Sequence, residues 1–92
     1  MWVAYSNKGT RIESDFRDWV CMYKVITDYI EGFGMTEDEA YEKFWDDVKN
    51  YDVEDYEACL NGRGFDEALG DGFLDELRAD YLVELGIECM EV

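Results

Sequence analysis

Apolar and polar residues recur along this chain with two different periods, and the switches between them mark out its elements. The opening Met1–Tyr5 (MWVAY) is a short apolar and aromatic run of the kind that forms a strand. Asn7-Lys8-Gly9 supplies turn chemistry, and Arg11-Ile12-Glu13 reads as a second short strand. The period then changes. Phe16, Trp19, Val20, Tyr23, Ile26 and Ile30 recur at helical spacing, which predicts a helix over about 15–31. Ser14 is its expected N-cap, with Asp15 in the first turn where the helix dipole favours an anion. Gly32 and Gly34 are its expected stop.

Thr36 and Glu39 match a capping box, in which the threonine takes an orphan amide while the glutamate reaches back. The second helix they open is expected to run to about Asn50, with Tyr41, Phe44, Trp45 and Val48 inward. Asp52 can cap a third, short helix over Val53–Leu60, ended by Asn61-Gly62. Arg63-Gly64 reads as loop and Phe65–Leu69 as a single turn. The last helix, about Phe73–Leu85, is expected to bury Phe73, Leu74, Leu77, Tyr81 and Leu85. The closing Ile87–Val92 alternates apolar and acidic residues as an edge strand does, and can pair with Met1–Tyr5. There is no repeat, low-complexity tract or proline to mark a linker. The expected fold is α+β: an α-rich single domain over residues 1–92, with three to four helices and a small terminal β-sheet.

Ninety-two residues lie near the lower limit for a self-sufficient core, and the 16 % aromatic content makes burial feasible at that size. Cys21, Cys59 and Cys89 form an odd set without a CxxC pair, so neither a disulfide framework nor a zinc site is indicated. Each reads as a small core residue in a reducing cytoplasm. No basic leader opens the chain and no 18-residue apolar run occurs in it. A soluble cytoplasmic protein is expected, one that an anionic membrane surface would repel.

Charge changes the picture. The net charge is −16, whereas solubility of a small domain needs only about 2–8 charges. Such a density also destabilises the compact state by self-repulsion. The surplus calls for another cause, either a functional acidic surface or adaptation to salt. It is also partitioned: residues 1–30 hold four acids and four bases, whereas residues 31–92 hold 20 acids and four bases. Thr36–Glu57 is the densest stretch, with ten acids opposed only by Lys43 and Lys49. Tyr41, Phe44, Trp45, Tyr51 and Tyr56 are interleaved with those acids, which a merely solvating tail would lack.

Within the acidic part, Asp38, Glu42 and Asp46 form an i, i+4 row on the second helix. Glu76, Asp80 and Glu84 form another on the last helix, and Glu88 can extend its line. Like charges at that spacing cost about 0.2–0.5 kcal/mol per pair, where a Glu–Lys pair would gain a similar amount. Carboxylates roughly 5–6 Å apart are spaced like neighbouring phosphates on a nucleic-acid strand. The plainer reading of each row is a solvated outer face. Two rows together with one-sided charge favour a functional surface. The candidate partner-facing, phosphate-mimicking residues are Glu37, Asp38, Glu42, Asp46, Asp47, Glu54, Asp55, Asp75, Glu76, Asp80, Glu84 and Glu88.

Catalytic chemistry finds little support. The chain has no histidine, which removes the commonest general base and transition-metal ligand. There is no GxSxG or P-loop, and Gly62-Arg63-Gly64 lacks the flanking pattern of a phosphate cradle. Among 24 acids a carboxylate pair is expected by chance. Asn50, Asp52 and Glu54 fit the first positions of a calcium loop, but Asp55 and Asn61 stand where glycine and glutamate are needed. No enzyme activity, cofactor or dedicated metal is expected. Direct nucleic-acid binding is disfavoured, because phosphates would repel the chain.

The small size, the acidity without histidine and the rows Asp38-Glu42-Asp46 and Glu76-Asp80-Glu84 together resemble the phage-encoded DNA-mimic antirestriction proteins. Met1-Trp2-Val3-Ala4-Tyr5 and Trp45-Asp46-Asp47 add to that likeness. These proteins share a charge layout rather than a fold. The resemblance implies a homodimeric, stoichiometric inhibitor in the host cytoplasm. Its target would be the DNA site of a restriction nuclease (McrBC-like) or of a nucleoid-associated protein. The alternative is an acidic adaptor that binds a basic protein segment outside any DNA site, with exposed Tyr51 or Tyr56 as anchors.

Overall fold

The computed structural model describes residues 1–92 as a three-stranded sheet and five helices. Strand β1 (Trp2–Tyr5) is central, flanked by β2 (Arg11–Ser14) and by β3 (Met90–Glu91) in the order β2-β1-β3. Both pairings are antiparallel, with Trp2 opposite Ser14 and Tyr5 opposite Arg11 on one side, and Val3 opposite Met90 on the other. The expected pairing of the chain's two ends is therefore present. Met1–Tyr5 is not itself an edge, because β2 and β3 cover both of its sides.

Helix α1 (Arg17–Phe33) lies between the sheet and the remaining helices, touching β1, β2, α2 and α5. That position explains why its burial runs around the helix: Val20, Cys21, Met22, Val25 and Ile26 are all buried. The single inward stripe expected from spacing is only partly right, since Phe16 is 66 % exposed and Trp19 40 % exposed. The helix also begins later than expected. Phe16 holds the N-cap position without a side-chain cap, and the Ser14 hydroxyl accepts from the Phe16 amide at 3.4 Å. Gly32 stays inside the helix, which ends at Gly34 in the left-handed region (φ 68°), where its amide donates to the Ile30 carbonyl.

The β1–β2 loop is clasped onto α1 by polar contacts. The Asn7 amide donates to Asp28 Oδ1 at 2.7 Å, Lys24 Nζ donates to Asn7 Oδ1 at 2.9 Å, and the Thr10 hydroxyl donates to Glu31. The hydroxyls of Ser6 and Thr10 hold the Glu31 carboxyl below the ordinary range.

Helices α2 (Glu37–Tyr51) and α3 (Val53–Leu60) are separated only by Asp52, whose carboxylate accepts from the Asp55 amide at 3.0 Å and caps α3. A single-turn helix, α4 (Phe65–Leu69), precedes α5 (Phe73–Leu85). The core joins Ala4 of the sheet to α1, to Ala40, Phe44 and Val48 of α2, and to Leu74, Leu77 and Leu82 of α5. Phe73 and Leu85, expected inside, are 56 % and 45 % exposed, and Arg78 takes a buried place instead. No helix is long and apolar enough to cross a membrane.

Candidate partner-binding surface

The geometry of α2 fixes the first carboxylate row. Thr36 and Glu39 form the expected capping box: the Glu39 amide donates to Thr36 Oγ1 at 3.2 Å, and the Thr36 amide donates to Glu39 Oε1 at 3.1 Å. Those contacts with Thr36 lower the Glu39 carboxyl from its usual value. Ala40, Phe44 and Val48 are fully buried and set the inner face. Glu42 lies two residues from both Ala40 and Phe44, which at 3.6 residues per turn places it on the opposite side. Asp38, Glu42 and Asp46 accordingly run along the outer face, all exposed, with Glu37 exposed in the first turn.

Asp47 is turned elsewhere. It is half-buried, accepts from the Tyr29 hydroxyl and pairs with Lys43 at 3.3 Å. Asp75 is also engaged, at 3.5 Å from the Arg78 guanidinium. The other ten candidate acids have no ion pair or side-chain hydrogen bond within the chain.

Three helices bring their acids around one short segment. The Cys59 thiol on α3 is pushed up by burial and then by Asp55 of α3 and Glu76 of α5. The Tyr56 phenol is pushed up by burial and then by Glu57 and by Asp46 of the α2 row. Asp46 of α2 and Glu76 of α5 therefore lie close to α3, whose own acids Glu54, Asp55 and Glu57 are exposed. Asp80 and Glu84 are exposed and extend the α5 row. Glu88 does not continue that row, because Gly86 ends the helix in the left-handed region (φ 64°). It sits exposed in the C-terminal segment.

The bases cannot neutralise this surface. Five of the eight are held in ion pairs: Arg11–Glu13, Lys24–Asp28, Lys43–Asp47, Arg63–Asp71 and Arg78–Asp75. Arg63 also donates to the Leu60 and Cys59 carbonyls, so it closes the end of α3 rather than countering the rows.

Beside the α2 row lies an open groove of about 880 Å³, lined by Met35, Tyr41, Trp45, Tyr56 and Phe65 and rimmed by the acids Glu39, Glu42 and Asp46 and the bases Lys43 and Lys49. Trp45 and Phe65 meet edge to face, 5.2 Å between ring centres. The sequence reading missed this groove, since Phe65 arrives from a turn twenty residues after Trp45. Tyr56, expected as an exposed anchor, is only 8 % exposed, whereas Tyr51 is 41 % exposed. The Asn50, Asp52 and Glu54 set is distributed over the end of α2, the helix junction and the start of α3, and Asp52 is occupied as a cap. A second cavity of about 1130 Å³ lies between α1, β1 and the C-terminal segment. Comparison with protein-family models, curated proteins and solved structures finds no match for this chain.

Proposed function

We propose that this protein is a DNA-mimic inhibitor whose carboxylates stand in for phosphates and occupy the DNA-binding site of a host protein. The observation that carries the reading is the set of exposed acids without internal partners on α2, α3 and α5, held on helices whose opposite faces are buried. Consecutive members of an i, i+4 row are separated by about 6 Å along the axis. The molecule measures 40 Å along its longest axis, a length matching roughly 12 base pairs of duplex. A solvated face would gain stability from lysines in these rows, and their absence fits a surface selected for negative charge.

The target in this reading is a restriction nuclease or a nucleoid-associated protein in the cytoplasm of a bacterial host. The inhibitor acts by occupancy, without chemistry of its own. A homodimer would lengthen the acidic surface. The exposed Met1, Met90 and Val92 beside the β3 edge are where a second copy would add. The aromatic groove beside the α2 row supports a second reading, in which a basic segment outside any DNA site docks with an apolar anchor in that groove.

Capture from bacterial lysate with this protein as bait, eluted first with duplex DNA and then with salt, separates the two. Elution of DNA-binding proteins by duplex supports mimicry. A partner that stays bound in excess duplex supports the adaptor.

A further inference from the structure

Two of the three cysteines meet. Cys21, in the second turn of α1, is 3 % exposed, and its thiol donates to the Cys89 sulfur at 3.8 Å. Cys89 is half-buried in the segment between α5 and β3, 68 residues away along the chain. Burial and the adjacent Cys89 push the Cys21 thiol up to about 11. Cys59 has no sulfur neighbour and serves as an internal control. Neither carboxylate row uses the pair.

We propose that Cys21 and Cys89 form a reversible thiol–disulfide site, oxidised by low-molecular-weight disulfides, that covalently fastens the C-terminal segment onto α1. The more accessible Cys89 attacks first as its thiolate, displacing one thiolate from the small disulfide and leaving a mixed disulfide on Cys89. Cys21 then loses its proton to solvent and attacks the Cys89 sulfur, releasing the second small thiol. Two protein thiols become one disulfide while the small disulfide is reduced to two thiols, so electrons and atoms balance. Because Cys21 holds its proton tightly, the second step is the slow one and quickens as pH rises. The link closes most of the chain into one loop and fixes β3 against β1, which removes freedom from the unfolded state.

The test incubates the native protein with oxidised glutathione and follows intact mass and thermal unfolding. The expected product is a monomer lighter by two hydrogen atoms, whose digest joins the Cys21 and Cys89 peptides. Its Tm should rise on the order of 10 °C and return on treatment with dithiothreitol. Cys59→Ser should behave like the parent, whereas Cys21→Ser should stop at the glutathione adduct on Cys89. A lasting adduct on Cys89 of the parent would overturn the proposal. So would a cross-link that forms only in denaturant, or disulfide-linked dimers in place of the internal link.

Discussion

The Tyr29 hydroxyl donates a hydrogen bond to Asp47 and ties α1 to α2 beneath the acidic surface. Asp47 follows Asp46 directly, yet the two carboxylates serve different ends: one holds helices together and the other faces solvent. Burial and the hydrogen bond to Asp47 both push the Tyr29 phenol well up. Tyr29→Phe should therefore cost about 1–2 kcal/mol in urea denaturation and leave partner binding unchanged. A loss of binding at full stability would move Asp47 into the interacting set.

The α2 row should behave in the opposite sense. Asp38→Asn, Glu42→Gln and Asp46→Asn together remove two like-charge i, i+4 contacts, so stability should hold or rise by about 0.4–1 kcal/mol. Affinity for a captured partner should fall at the same time. Added salt should stabilise the parent more than the variant, because screening relieves the repulsion that the substitutions already remove. Unchanged affinity in the triple variant would release this row from the interface.

Arg78 is buried for its bulk as much as for its charge. Its guanidinium lies 5.3 Å from the centre of the Trp19 ring and touches Met22 Sδ, and its Nε is buried without a partner. Arg78→Ala should cost about 2–4 kcal/mol through the cavity it leaves. Arg78→Met should be near neutral, since replacing a buried charge by an apolar group of similar volume is often tolerated. Equal damage from both in chemical denaturation would show that the charge itself is required.

The pH dependence has a definite sign. Glu31, Glu39 and Asp71 are all lowered, by Ser6 and Thr10, by Thr36 and by Arg63 respectively. A carboxylate whose folded pKa lies below its unfolded value contributes stability that is complete above the unfolded value and is lost as pH falls through the folded one. The parent should therefore exceed a Glu31→Gln, Glu39→Gln, Asp71→Asn variant in urea midpoint at about pH 6, and the gap should close towards about pH 3. A gap independent of pH would contradict the assignment.

Local signals in the chain were readable where their cause is local. The Thr36–Glu39 box, the Asp52 cap and the Asn61 stop, whose φ of 51° lies in the left-handed region, all stand where the residues indicate. Burial was less readable because it depends on neighbours. Helix α1 is covered on several sides, so Cys21, Met22 and Val25 go inside while Phe16 at its end stays out. Helix α5 carries apolar residues around most of its circumference, and spacing alone could not choose Leu82 over Leu85 or admit Arg78. The outer position of Asp38, Glu42 and Asp46 was readable, because the inner Phe44 and Val48 leave those residues only the opposite face. The separation of Asp47 from that row was not, since Tyr29 is a residue of another helix.

The most direct test titrates this protein into a preformed complex of a captured DNA-binding partner and labelled duplex, following both by native electrophoresis or analytical ultracentrifugation. Mimicry predicts stoichiometric release of the duplex and a binary protein–partner complex, with affinity falling steeply as salt rises. A stable ternary complex that keeps the duplex bound would contradict it, and the acidic helices would then dock away from the DNA site.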